Sequence, residues 1–438
     1  MNACDRFAGS LLIAGLIWAS PISNAGAETI IESLAKAYAT NPELLSQRAA
    51  LRAVDEEIPQ ALANWKPTIE ITGETGVEQV DSNTSTATRH PKTGTLSITQ
   101  PLFRGFRTLS ETRRAKARVA SQQANLHATE QSLLIKAVGA YMNVVRDKAV
   151  LELNQRNERR VARQLQAAKD RFQVGEITQT DVAQAEARHA GAKADLIRAQ
   201  GTYVSVIANY KRIIGDAPGT LKQPTLKLEL PSNSEEAISL AENINPNVIQ
   251  AHYNVLSAEH NIGLIRGELF PELELEGTYT KEENTSSSVT KRDTAELMAK
   301  LTIPLYQAGD VYSRLRASKE TAIQRREELD NAKRVAIEGA ATSWIKLQTA
   351  RAIVDSFRAE VRANKIALDG VQREALVGSR TVLDVLDAEQ ELLDSRVSLV
   401  RSEREELVAR FELKQSVGTL TAENLQLPVT FNGEKKGK

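Results

Sequence analysis

Apolar residues recur at two different periods along this chain, and each period appears twice. Leu133, Ala137, Ala140 and Val144 form a seam at 4-3-4 spacing, and Leu134, Val138, Tyr141 and Val145 form a second seam beside it. Two adjacent seams predict a helix that holds a neighbour on each side, as in a helical cylinder or a multi-helix bundle; the period serves both. Elsewhere the period is two. Ile69 and Ile71 alternate with Glu70 and Thr72, and Leu96 and Ile98 share one side of 95–99. Leu273, Leu275 and Tyr279 alternate with Glu274, Glu276 and Thr278. Ala295, Leu297, Ala299, Leu301 and Ile303 alternate with Glu296, Met298, Lys300 and Thr302. Such runs predict strands with one apolar face, either lipid-facing in a barrel or half-buried in an ordinary sheet.

Both patterns belong to one duplicated unit. Val174, Gly175, Thr178, Asp181, Val182, Ala185 and Glu186 recur 203 positions later as Val377, Gly378, Thr381, Asp384, Val385, Ala388 and Glu389. Asn41-Pro42 recurs as Asn245-Pro246, Pro67 as Pro271 and Gly73 as Gly277, at an offset of 204. Each copy reads helix, strand, loop, strand, very long helix, sharp turn at Gly175 or Gly378, and returning helix. The first helix spans 28–65 and stops ahead of Pro67, which disfavours helix in the residue before it. A polar loop follows over 81–94, and Pro101 and Gly105 mark the exit of the next strand. Residues 106–172 and 310–376 contain no proline, and each predicts a helix of about 100 Å at 1.5 Å per residue. The helices predicted at 28–65, 177–214, 234–270 and 381–417 are about half that length, so two of them end to end cover one long helix. The organisation is therefore a first repeat over 28–218, a linker over 219–233 that wraps the middle, a second repeat over 234–429 and a polar tail over 430–438. The fold class is mainly α with a small β part.

Composition narrows the setting. Lys+Arg and Asp+Glu both number 56, so no basic excess points to nucleic acid. The apolar stretch Leu11 to Ala19 followed by Ala25-Gly26-Ala27 predicts a secretory signal peptide over 1–27. The single cysteine, Cys4, leaves with that signal, so neither a disulfide nor a thiolate metal site is expected. Cys4 also precedes the apolar stretch and is not placed for lipid acylation. The five histidines lack metal-ligand spacing, and no phosphate-binding loop is present. No catalytic residue, cofactor or metal is expected, and the chain is not read as an enzyme. Trp65, Phe103, Phe106, Phe270 and Tyr306 gather at helix–strand junctions, suited to an interfacial belt or to junction packing.

Four strands cannot close a barrel, for which about 8 is the usual lower limit, and open edges in lipid leave backbone groups unpaired. Strands of this kind enter a membrane only if several chains share one barrel. An exported soluble coiled-coil scaffold or adhesin is the alternative, although it needs no alternating apolar hairpins.

The segment Val377-Gly378-Ser379-Arg380-Thr381-Val382-Leu383-Asp384-Val385-Leu386-Asp387-Ala388 closely resembles the periplasmic-tip motif of the outer-membrane efflux and secretion channels, the TolC family. Val174 to Val182 is similar to the matching tip of the first repeat, and the placement of Asn41-Pro42, Pro67, Pro271, Pro101 and Pro304 agrees. The resemblance implies a homotrimer with a 12-strand outer-membrane β-barrel, four strands per chain, continuous with a long α-helical barrel in the periplasm. It implies an exit channel for type I secretion or multidrug efflux, served by a periplasmic adaptor and an inner-membrane transporter. Without an acylation cysteine the chain is more similar to the secretion branch than to the lipid-anchored branch. Leu273, Leu275, Leu297, Leu301 and Ile303 would then face outer-membrane lipid.

Asp384 follows Thr381 by three residues, as Asp181 follows Thr178, which fits helix capping. Capping does not account for Asp387, whose first-copy counterpart is Gln184. Asp384 and Asp387 share a helix face, and symmetry would stack them as carboxylate rings. The resemblance gives them the constriction of the periplasmic gate. It gives Arg380, with Thr180 and Asp181, the lock that holds the gate closed. Ala375 departs from the family pattern, in which a tyrosine contributes to that lock.

Overall fold

The computed structural model describes residues 28–429 apart from 84, 227 and 287. The predicted signal peptide over 1–27 and the tail over 430–438 lie outside the described residues. The first repeat opens with α1 (Ile30–Thr40), α2 (Pro42–Asp55) and α3 (Glu57–Ala63), then β1 (Thr68–Thr75), β2 (Glu78–Ser82), β3 (Ser85–Arg89) and β4 (Lys92–Arg104). It continues with α4 (Arg107–Gln173) and α5 (Gln179–Ile214). The second repeat holds α6 (Ser234–Ile244), α7 (Pro246–Gly267), β5 (Glu272–Ser286), β6 (Val289–Thr302), α8 (Asp310–Leu376) and α9 (Val382–Ser416).

The long helices α4 and α8 each run 67 residues, as their proline-free stretches predict. The single helix expected over 28–65 is instead three. Asn41 ends α1 and its side chain accepts from the Glu43 amide, capping α2 with Pro42 in its first turn. Proline lacks the amide that a continuous helix needs there. Asn245-Pro246 breaks the second repeat in the same way. Half-length elements cover the long helices as expected. Along α4, α5 lies on one half and α1 to α3 on the other; α9 and then α6 and α7 do the same for α8.

Both seams are buried from Leu133 to Val144, and Val145 packs against the same core. That core joins α1, α4, the end of α5, Phe411 of α9 and Leu420 to Leu427 of the C-terminal segment. Tyr141 fastens the linker to it. Its hydroxyl donates to the Glu28 carbonyl at 3.0 Å and the Lys222 carbonyl at 2.6 Å. Leu221, Leu226 and Leu228 pack against the same cluster.

The sheet is antiparallel in the order β1-β4-β5-β6. Its register aligns the alternating apolar positions. Ile69 faces Ile98, Ile71 faces Leu96, Leu96 faces Tyr279, Leu273 faces Leu301 and Leu275 faces Ala299. One face of all four strands is therefore apolar, while Glu274, Glu276, Thr278, Glu296 and Lys300 occupy the other. Lys300 bonds Glu274 at 2.8 Å on that polar face.

Two expectations about the strands are corrected. The polar loop over 81–94 is largely structured. β2 and β3 form their own hairpin, and β4 already begins at Lys92. The residues of that hairpin are mostly polar apart from the facing pair Val80 and Ala87, and Thr86–Asp81 and Arg89–Glu78 contacts add to the backbone pairing, so no run of apolar alternation reveals it. Pro101 does not end its strand either. β4 runs on to Arg104 past a bulge between Pro101 and Phe103, which absorbs the missing amide.

Candidate functional site

Two regions carry the chemistry. The first is the pair of sharp turns at the far ends of α4 and α8. Gly175 and Gly378 both adopt φ of 78°, a left-handed conformation that favours glycine. The Glu176 amide returns to the Arg171 carbonyl and the Ser379 amide to the Glu374 carbonyl, both at 3.0 Å, closing Schellman-type ends. Three residues on, Thr178 and Thr381 cap the returning helices. The Asp181 carboxylate accepts from the Thr178 amide at 2.9 Å and hydroxyl at 2.8 Å. Asp384 does the same with Thr381 at 2.8 Å for both. The backbone bond first, and the hydroxyl second, hold both carboxyls below the usual carboxylate range. Both cap bonds to the Asp384 carboxylate go to Oδ2, so its Oδ1 is not used by the cap.

The lock residues are not brought together within one chain. Arg380 Nε donates to Glu374 at 2.9 Å, inside its own tip, and this carboxylate raises the guanidinium pKa. Asp181 is occupied by its cap. Asp387 is not a free carboxylate either: Arg188 of α5 bonds it directly, joining the two repeats.

The duplication breaks at this level. In the first repeat Glu186 pairs with Lys169 of its own hairpin at 2.8 Å. At the offset of 203, Gln372 replaces that lysine, and the counterpart Glu389 turns to Arg160 of the first repeat at 3.8 Å. Glu389 is buried, and desolvation raises its pKa against the pull of Arg160. Leu386 packs beside it on Val161 and Ala192, with Val382 at the edge. Sequence reasoning missed Arg188, Arg160 and Glu374. The lysine-to-glutamine change at Gln372 was the available signal for the cross-repeat pair.

The second region is the junction of sheet and helices. Gly105 and Phe106 turn the chain through φ of 57° and 62°, and Ala308 and Gly309 repeat the turn at 49° and 81°. Phe106 stands edge-on to Phe103 and Phe270, with ring centroids 5.2 and 6.3 Å apart. Arg107 pairs with Glu272 at the start of β5, and Arg314 bonds Glu268 at the end of α7 at 2.9 Å, so each long helix is tied to the α7–β5 junction. The three phenylalanine rings touch at the junction, while Phe106, Trp65 and Tyr306 remain exposed within the single chain.

Long paired helices, a one-faced sheet at one end and capped hairpin tips at the other are also what comparison finds. The profile of the family described as outer membrane efflux protein matches residues 34–216 and 237–419, once on each repeat. The chain belongs to that family. It is 33% identical over 432 residues to the outer membrane efflux protein BepC of Brucella suis biovar 1, covering 98% of this chain and 93% of BepC. It is 26% identical over 411 residues to the outer membrane protein TolC of Vibrio cholerae, covering 91% and 92%. In fold it matches the CmeC outer membrane channel of Campylobacter jejuni with a TM-score of 0.80 at 15% identity, over 89% of this chain and 85% of that one. The TolC-family expectation is met, and the efflux protein family places the chain in the outer membrane with an extension into the periplasm. Members of the family are channels, and the scaffold or adhesin reading gains no support.

Proposed function

We propose that three copies of this chain close one 12-strand outer-membrane barrel set on 12 helical staves, four of each per chain. The trimer is a passive exit duct for type I protein secretion, multidrug efflux or both. An inner-membrane transporter drives it through a periplasmic adaptor. The observation that carries this reading is the sheet itself. It has one apolar face, and β1 and β6 stand at its two edges. Each backbone group left unpaired in lipid costs several kcal/mol, so the edges need neighbouring copies. In fractionated cells the protein should enter the outer membrane and migrate as a trimer before boiling and a monomer after it. A soluble periplasmic monomer would overturn the reading. Leu273, Leu275, Leu297, Leu301 and Ile303 face lipid in this arrangement.

The tips form the gate. Asp384 and Asp387 lie one helical turn apart, and threefold symmetry makes them two stacked rings. Asp384→Asn with Asp387→Asn should weaken cation preference and abolish block by La3+ in planar bilayers, while trimers still assemble. Unchanged reversal potential and block would remove the rings from the constriction. Failure to fold would show that capping by Asp384 dominates.

Arg380 acts as the lock through Thr180 and Asp181 across a contact between hairpins. The support is geometric: Nε is taken by Glu374, and a guanidinium carries further donors on its terminal nitrogens. Arg380→Ser should raise resting conductance and sensitivity to large antibiotics; with Ala375 in place of a tyrosine, either that rise is larger than in tyrosine-bearing relatives or the unaltered channel already leaks at rest. Single-channel recordings identical to the unaltered protein would refute the lock.

A further inference from the structure

We propose that Arg188 sets the ion selectivity of the gate by neutralising Asp387 within each chain. The inference rests on the channel reading above and adds a residue to it. Arg188 Nη2 contacts Asp387 Oδ1 directly, and the two side chains are 47% and 51% exposed. The pair is therefore half in solvent, where its charges still act on passing ions.

The repeat shows that this pair is particular to one direction. At the offset of 203, Asp387 corresponds to Gln184 and Arg188 to Glu391. Neither partner has a like-charged counterpart, so the exchanged pair cannot form. The register that brings the two together is fixed from below. Leu386 and Val382 seat α9 on Val161 of α4 and Ala192 of α5, and Glu389 is drawn to Arg160 two residues beyond Asp387.

Many of the neighbouring charges are already paired with one another. Lys169 balances Glu186, Arg171 balances Glu176 and Arg380 balances Glu374. His189 meets Glu158 further along α5. Asp384 and Asp181 keep their negative charge in their caps. The ring at Asp387 is then a ring of ion pairs with no net charge, and Asp384 supplies the cation preference of the upper ring alone. Removing Arg188 would add one negative charge per chain at the constriction.

Reversal potentials in asymmetric KCl and half-blocking concentrations of La3+, both in planar bilayers, test this. Arg188→Gln should raise the cation-to-anion permeability ratio and lower the half-blocking La3+ concentration about tenfold. That estimate takes three added charges at about 10 Å, screened over a Debye length of about 10 Å. Arg188→Lys should restore the unaltered behaviour. Asp387→Asn alone should shift permeability toward anions, because it leaves a ring of unbalanced arginines. Arg188→Gln with Asp387→Asn should fall between the two single variants, since the Asp387 ring is again without net charge while Asp384 keeps its own. Conducting Arg188→Gln trimers with unchanged reversal potential and block would overturn the inference. So would reduced trimer recovery without a selectivity change, which would make Arg188 a structural clamp. Absence of any channel from the unaltered protein would instead overturn the channel reading beneath it.

Discussion

Leu297→Arg should abolish assembly of heat-resistant outer-membrane trimers, while Glu296→Arg, one residue away, should leave most of it intact. Leu297 is 74% exposed and lies on the apolar face of β6, opposite Gly277. Glu296 lies opposite Thr278 on the polar face. An arginine facing the middle of the bilayer costs about 2–4 kcal/mol. In the proposed trimer three copies share one barrel, so the total would be about 6–12 kcal/mol per trimer, comparable to the whole stability of many domains. On the polar face the same arginine stands opposite Thr278 with Glu276 as a diagonal neighbour. Membrane fractions run unboiled on a gel would read the difference. Equal tolerance of the two substitutions would mean that the apolar face does not meet lipid.

Gly105→Ala should destabilise the trimer strongly, and Gly309→Ala only mildly. The two glycines occupy related turns at the foot of the sheet, and both hold positive φ. Their surroundings differ. A Cβ on Gly105 would stand 2.2 Å from the Gly267 carbonyl oxygen and 2.9 Å from the Phe270 Cβ. Gly267 in turn would press on the Gly105 oxygen at 2.6 Å. Nothing lies within 4 Å of the position at Gly309. Left-handed strain costs about 1–2 kcal/mol, and forcing atoms into a packed contact about 1–3 kcal/mol more. Gly309→Ala meets the first cost alone. Thermal melting of purified trimers should show a clearly lower midpoint for Gly105→Ala than for Gly309→Ala. Matching midpoints would mean that the backbone contact between Gly105 and Gly267 relaxes freely.

Much of this architecture was written in local signals. The lengths of α4 and α8 follow from proline-free stretches, because an uninterrupted amide ladder is a property of consecutive residues. The turns at Gly175 and Gly378 and the caps at Thr178 and Thr381 involve residues at most five apart. The apolar face of the sheet was legible because period two leaves a visible trace wherever one side is apolar. The breaks at Asn41 and Asn245 were equally local: an Asn-Pro pair caps one helix as it stops another.

What the sequence by itself determined was therefore the duplicated unit, its two long helices and the returning helices α5 and α9, its four one-faced strands and the capped tips. The tertiary structure alone decided which charges meet. Gln372 stands where Lys169 stands in the first copy, yet only packing showed that Glu389 is then drawn to Arg160. Asp387 reads as an unpaired helix charge until α5 brings Arg188 alongside it, across a separation of 199 residues. The hairpin of β2 and β3 belongs to the same class, since backbone pairing between polar strands leaves no periodic mark. Periodicity records which face of an element is buried. The partner across that face is set by how elements hundreds of residues apart come to lie side by side.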